Sequence, residues 1–379
     1  EDLEAVKLVE DKLTILDYKY SIESVDYLKE KEYLDVAYLL PHNHITGGLK
    51  ILLEQANALH NRGHNITLLS HLPKPDWMDI QCSYIKVPPD KALHEEVPKV
   101  DIVIAGYWDL IIDAIRTDAP ICYYLAQGDI DIFEYENLLS QYRNIVLTVH
   151  KLPVKILTVS KIMKKKIKEI HDRESVIIPN AIDKQFFYYK KHKTNDPLEI
   201  LLIGNDSLQF KGHEDIIRAL FSLKKLGYRF RVKWAMPTFP SKDYTSFKLN
   251  IQYSICPTQD ELGRLYRTSD ILISASYYES FSLPPLEGMA CGTCVLTSAN
   301  EGVKEYACDN KNCVMFEAGN VDQLLDKVKY LLNSKEIRKQ LVSEGLKTAK
   351  KYTWENSINF LEKEFIKTKN NLKVAFLEI

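Results

Sequence analysis

No stretch of this chain holds 18 consecutive apolar residues, so no membrane-spanning helix is expected. The opening residues Glu1, Asp2, Leu3 and Glu4 lack a methionine and an apolar h-region. No signal peptide is expected from them, and the missing methionine is what a trimmed chain or a piece of a longer one would show. Neither sign of charge dominates: 50 Lys and Arg stand against 52 Asp and Glu, a net charge of −2, which gives no case for a nucleic-acid partner. Cysteine is sparse and odd in number, seven in 379 residues, which favours reduced thiols in a cytosolic compartment over a disulfide framework. Cys291 and Cys294 have the spacing of a zinc or redox pair, but no suitable second pair follows, so core thiols are preferred to a metal site. Solenoid repeats and low-complexity segments are also missing.

What is present is a globular composition, 45% hydrophobic and 27% charged, with a length that suits two domains. Residues 1–33 form an extension of unclear role, with a candidate strand at 12–16 and a short helix at 25–31. Apolar runs at 34–40, 65–69, 101–105, 120–125 and 156–160 read as buried parallel strands alternating with helices. A charged, aperiodic stretch at 188–197 reads as a linker, after which strands at 198–204, 270–275, 294–296 and 314–316 resume the alternation. Helices are expected at 49–62, 214–226, 320–333, 335–351 and 353–369, with a short strand at 372–379. Thr258 and Glu261 form a capping box for another helix. The fold class is therefore α/β, two parallel-sheet domains facing a cleft.

Chemistry concentrates at Glu279–Glu287, two acids eight residues apart with Pro284 and Pro285 between them. Pro285 suits the first turn of a helix over 286–291, which places Glu287 in that turn and Glu279 in the loop leaving strand 270–275. There the amides of Ser280, Phe281, Ser282 and Leu283 can meet an anion. A plain reading makes Glu287 an offset to the helix dipole and Glu279 a surface charge. Earlier, Gly47 and Gly48 open a helix after the first strand, flanked by His42 and His44. They can admit a phosphate or form a simple tight turn. Asp129 and Asp131 are better explained by helix capping than by a metal-binding Asp-x-Asp.

The block Glu279–Glu287, followed by Gly288, Met289, Ala290, Cys291 and Gly292, resembles the Glu-x7-Glu signature of retaining GT-B glycosyltransferases of family 4. Lys211-Gly212 after strand 198–204 matches the family's Lys-Gly, and residues 176–183 resemble its interdomain segment with Ala181 in place of Gly. Asn205 stands where the family has Arg. The resemblance implies two Rossmann-like domains, 34–190 on the acceptor side and 196–352 on the donor side, with a helix from 353 crossing back. It implies a nucleotide-diphosphate-sugar co-substrate, UDP-sugar favoured, without a metal. Glu279 and Lys211 are the implied catalytic pair. Gly47, Gly48, Gly204, Asn205, Lys211, Ser280, Phe281, Ser282, Leu283 and Glu287 are the implied donor contacts, with His42, His44 and Gln127 on the sugar or acceptor side. The acceptor would be a glycan or lipid-linked molecule. The lysines of 161–168 (161, 164, 165, 166 and 168) read first as the solvated face of a helix covering the sheet, with attraction to an anionic inner leaflet as the sharper alternative. A non-catalytic GT-B binding module, or a GT-B epimerase or phosphorylase, stands as the alternative.

Overall fold

The computed structural model describes residues 9, 12, 31–128, 130–191 and 194–375. The chain divides into a unit ending at Asn180 and rejoined from Trp354 onward, and a second unit spanning Ala181–Thr353.

The first unit holds seven parallel strands: β1 (Asp35–Leu39), β2 (Asn65–Ser70), β3 (Ser83–Lys86), β4 (Ile102–Ala105), β5 (Ile121–Ala126), β6 (Lys155–Thr158) and β7 (Ser175–Ile177). Their order is β3-β2-β1-β4-β5-β6-β7. The central β4 is buried along its whole length, as a strand covered by helices on both faces must be. The two edge strands escaped the sequence reading for a physical reason. β3 is four residues with polar ends, and β7 is three residues of what reads as an interdomain segment. The helix Trp354–Ala375 packs in this unit: Tyr123 donates to Thr368 Oγ1 at 2.7 Å and lies 5.5 Å from the Phe365 ring.

The second unit holds β8 (Leu198–Ile203), β9 (Phe230–Met236), β10 (Ile251–Ile255), β11 (Ile271–Ser274), β12 (Cys294–Ser298) and β13 (Val314–Phe316), ordered β10-β9-β8-β11-β12-β13 and all parallel. Its core joins Ile200, Leu202, Ile217, Leu220, Trp234, Leu296 and Leu324. Both units are thus Rossmann-like parallel-sheet domains.

Three expectations are corrected. Residues 181–190 belong to the second unit, because an aromatic run anchors them there. Phe187 is buried edge-on against Tyr266 at 5.8 Å, the Arg267 guanidinium lies 4.2 Å from the Tyr188 ring, and Arg267 donates to the Phe186 carbonyl at 2.6 Å. The last helix runs on to Ala375, so 372–375 is helical rather than a strand, and 376–379 lies outside the described residues. Lys12 is helical, and the remainder of the strand expected at 12–16, with most of the helix expected at 25–31, lies outside the described residues.

Candidate active site

In the second unit β8 pairs with both β9 and β11, so the strand order reverses between β8 and β11. Loops leaving such a pair flank the natural ligand crevice of an open α/β sheet. The loop after β8 starts at Gly204, whose φ of +116° few other residues tolerate, and whose carbonyl accepts from Trp234 Nε1 at 2.9 Å. Asn205 closes a small turn by accepting from the Ser207 amide at 3.1 Å, and its Nδ2 lies 3.4 Å from Thr238 Oγ1. Asp206 is the loop's pin. Burial alone would raise its carboxyl, but hydrogen bonds from the Ser241 amide and hydroxyl, Tyr244 and the Lys242 amide outweigh that and hold it below the usual carboxylate range.

The loop ends in a 3-10 turn, Gln209–Lys211, and then Gly212, where any Cβ would stand 2.3 Å from the Ala275 carbonyl oxygen. That close approach brings Lys211 beside the loop leaving β11. Lys211 Nζ lies 2.6 Å from Glu279 Oε1, and Ser276 Oγ donates to the same oxygen at 2.8 Å. Phe210 and Tyr278 stack at 4.7 Å beside the pair. Behind it, Ser298 Oγ and Asn300 Nδ2 donate to the Ser276 carbonyl, and Gly302 admits the Glu279 main chain where a Cβ would meet its oxygen at 2.2 Å.

The helix after this loop is Leu283–Cys291, three residues longer at its start than expected, with both prolines in its first turn. Ser282 precedes it at φ +67°, which lets the chain turn sharply enough for the helix to start early. The prolines carry no N–H, so the unpaired amides expected at this helix start reduce to those of Ser282 and Leu283. Glu287 consequently lies in the second turn, not the first. It is 4% exposed, and Tyr266 donates to its Oε2 at 2.9 Å. That rules out the helix-dipole reading of Glu287. Phe281 is buried between Tyr306 and Tyr352, at 5.3 and 5.8 Å, so its ring is core and only its main chain can serve a ligand. Ser280 is half-buried in the same loop.

In the first unit the order reverses between β1 and β4. The loop after β1 carries His42 and His44, whose rings stack at 5.9 Å, and Thr46, which caps the helix Gly47–His60 through the Leu49 amide at 3.2 Å. Gln127, at the end of β5, donates to the Gly48 carbonyl at 2.9 Å. Neither Gly47 nor Gly48 has positive φ. At Gly48 a Cβ would stand 3.5 Å from Gln127 Nε2, an ordinary contact, so the fold does not demand glycine there.

The remaining candidates are quickly placed. Cys291 and Cys294 are buried, with their thiols pushed up to about 12 by that burial, as core thiols are. Among the described residues no cluster of three or more His, Cys, Asp or Glu could hold a metal ion. Asp129 lies outside the described residues, and Asp131 is buried in the short helix Ile130–Phe133. The lysines of 161–168 lie on the helix Lys161–His171, which buries Met163 and Ile167. No helix among the described residues is long and apolar enough to cross a membrane. Sequence reasoning missed Asp206, Tyr266 as a partner of Glu287, Ser276 and Gly302. Asp206 and Tyr266 act through partners distant in sequence and Gly302 through a main-chain contact, while Ser276 bonds Glu279 three residues on within a loop that carries no periodic signal.

Residues 183–348 match the family model described as glycosyl transferases group 1. An uncharacterized glycosyltransferase of Methanocaldococcus jannaschii is 26% identical over 214 residues, 56% of this chain and 59% of its own length. The chain spans less than two thirds of that relative, and 43% and 16% of two further relatives. Sucrose-phosphate synthase from Thermosynechococcus elongatus superposes with a TM-score of 0.74 at 13% identity, covering 88% of this chain and 98% of that one. Anabaena HepE in complex with UDP-glucose does so at 0.74 and 13%, covering 89% and 100%. The chain therefore has the two-domain GT-B fold, and its second unit carries the match to the glycosyl transferases group 1 family.

Proposed function

We propose that this protein is a retaining glycosyltransferase of family 4 that transfers a sugar from a nucleotide-diphosphate donor, UDP-sugar favoured, to an acceptor hydroxyl. One observation carries the reading: the contact between Lys211 and Glu279 at 2.6 Å, formed by the loops leaving β8 and β11 where the strand order reverses. Transfer requires stabilising a departing diphosphate and an electron-poor sugar carbon. Lys211 and the amides of Ser282 and Leu283 supply positive charge and dipoles for the first, with Gly204, Asn205 and Ser280 lining the same loops. Glu279 supplies negative charge for the second. Glu287 accepts from the ribose hydroxyls. The chemistry asks nothing of a metal, because the cation and the helix start do its electrostatic work.

Of the first unit's residues we assign Gly47 and Gly48 to the donor, and His42, His44 and Gln127 to the sugar or acceptor side. The similar O-antigen biosynthesis protein of Myxococcus xanthus and O-antigen mannosyltransferase of Escherichia coli support a glycan or lipid-linked acceptor. We propose a cytoplasmic location, with peripheral contact at the inner face of a membrane; that acceptor class and the lysine-rich helix support it. The alternative, a non-catalytic glycan- or partner-binding protein, is favoured only by Asn205, which puts no cation where the family has Arg.

The test is release of nucleoside diphosphate from a panel of UDP-, GDP- and ADP-sugars, with and without glycan acceptors, in the presence of EDTA. Product anomers are read by NMR. Transfer with the donor's anomeric configuration kept supports the proposal. Nucleotide binding without turnover supports the alternative, and turnover without acceptor supports an epimerase or phosphorylase.

A further inference from the structure

Tyr266 and Glu287 are 21 residues apart, on different helices, and both lie within the second unit. Tyr266 is fully buried in the helix Gln259–Thr268, which Thr258 and Glu261 cap from both directions. Its main-chain carbonyl accepts from Thr293 Oγ1 at 2.7 Å and its ring meets Phe187 edge-on, so the tyrosine is held through both its main chain and its ring. Glu287 is fixed as firmly through its main chain. The neighbouring Gly288 presses the helix Leu283–Cys291 onto β11, where a Cβ would lie 2.9 Å from Leu272 Cδ2. Two rigid helices therefore meet at a buried polar contact, the tyrosine hydroxyl donating to Glu287 Oε2 at 2.9 Å, beside a longer one from Cys291 Sγ to the Gly263 carbonyl at 4.0 Å.

The chemistry of that contact is more specific than packing requires. Phenylalanine would fill the same space, and a buried carboxylate is costly unless it is hydrogen-bonded. Burial, and next the Glu287 charge, push the Tyr266 hydroxyl well above its ordinary range, so it keeps its proton and remains a donor. The terminal torsion of a glutamate is broad and roughly two-fold, so its carboxylate plane turns easily when nothing holds it. A vicinal diol needs the opposite. Its two hydroxyls donate in one plane to a carboxylate already set in that plane, and bidentate pairing of this kind rewards fixed geometry.

We infer that Tyr266 is a positioning residue whose hydroxyl sets the plane of the Glu287 carboxylate for a ribose diol, and so makes this unit select ribonucleotides over deoxyribonucleotides. The inference rests on the donor reading of the second unit. It adds a determinant of sugar recognition in the nucleotide that lies outside the Glu279–Glu287 motif.

The experiment is calorimetric titration of the full chain with UDP, GDP and ADP, followed by the 2′-deoxy and 3′-deoxy forms of whichever binds most tightly. Wild type should prefer the ribonucleotide by roughly 10- to 100-fold, the scale of hydrogen bonds to a charged group. Tyr266→Phe should shrink that preference by about 3- to 10-fold, chiefly by weakening the ribonucleotide, while the deoxy forms change little. In a Glu287→Gln background the preference should already be small, and adding Tyr266→Phe should leave it where it is, because the tyrosine acts through the carboxylate. A purely structural tyrosine would weaken ribo and deoxy forms alike and leave their ratio unchanged, and that result overturns the inference even if the variant is less stable. Wild type that binds none of the three diphosphates overturns the donor reading itself, and the inference falls with it.

Discussion

Lys211 Nζ and Glu279 Oε1 lie 2.6 Å apart although 68 residues separate them in the chain, and Ser276 donates to the same carboxylate oxygen. Neither group is exposed enough to count as an ordinary surface ion pair: their side chains are 22% and 13% exposed. A cation and an anion held together at a strand reversal can separate their duties once a substrate arrives, the lysine turning to phosphate and the glutamate to the sugar.

That arrangement predicts strong coupling. Lys211→Ala and Glu279→Gln should each lower turnover by roughly 100-fold, the scale of losing one preorganised electrostatic contact. The double variant should lose far less than the product of the two, because groups acting as a unit are not additive. Steady-state donor turnover checks both statements. Wild-type turnover in Lys211→Ala would remove the lysine from the phosphate site.

Asn205 gives a second prediction. Its side chain closes its own loop through the Ser207 amide, so the loop does not depend on a cation at this position. Asn205→Arg should therefore cost about 1 kcal/mol of stability from the lost hydrogen bond, without lowering turnover. Thermal melts and donor turnover measured together test this. A large drop in turnover with a small drop in melting temperature would mean that the asparagine itself touches the substrate.

The contrast between these residues explains what was legible in advance. Glu279, Glu287, Lys211 and Gly212 were readable because a strand exit, a proline pair and a Lys-Gly step are local signals. The start of the helix at Leu283 was not, because it depends on Ser282 taking a positive φ that its identity does not advertise. The second unit begins at Ala181, ahead of the linker expected at 188–197, because Phe187 packs on Tyr266 and the Arg267 guanidinium lies over the Tyr188 ring. β9 and β10 went unread because Arg231 and Lys233, or Gln252 and Ser254, interrupt the apolar run; β9 gains buried residues from its neighbours in the sheet, whereas β10 is an edge strand that is nowhere fully buried. Tyr266 read as one more apolar residue on an amphipathic helix. Nothing within several residues of it hints at Glu287.

A buried pair that no motif announced gives the third prediction. His150 and His171 stack with ring centroids 3.7 Å apart and planes 3° apart, and His150 Nδ1 donates to the Val146 carbonyl. Burial lowers His150 to about 4 and His171 to about 3, each helped by the Arg173 charge, and for His171 by its stacked partner as well. Both rings are neutral when folded and titrate near 6.5 when unfolded, so below that pH the unfolded chain binds more protons. Stability should be fully present above about pH 6.5 and fall as the pH drops toward 4, by on the order of 1 kcal/mol per pH unit for each ring. Chemical denaturation at pH 7.5, 6 and 5 measures the slope. Replacing both histidines by phenylalanine should flatten it relative to wild type, and an unchanged slope would place the acid sensitivity elsewhere.

The lysine-rich helix Lys161–His171 gives the last prediction. Its apolar side is committed to the first unit, since Met163 and Ile167 are fully buried, so insertion into lipid is not open to it. Attraction to an anionic membrane would have to come from the lysines alone. Several are partly neutralised: Lys168 bonds Asp172 at 2.8 Å and Glu174 at 3.1 Å, Lys165 lies 3.7 Å from Glu169, and Lys166 stands 5.4 Å over the Phe133 ring. Lys164 and Lys165 are the most outward-facing of the central three. The contact should therefore be weak and strongly salt-dependent, present at low ionic strength and lost once the screening length falls to a few ångströms, near 1 M salt. Sedimentation with vesicles rich in phosphatidylserine should pull down the wild type at low salt and leave it in solution at high salt. The triple change Lys164→Glu, Lys165→Glu and Lys166→Glu should leave it in solution at both, with turnover on a soluble acceptor intact. If the wild type stays in solution at low salt, the lysines serve only to keep this helix face in water.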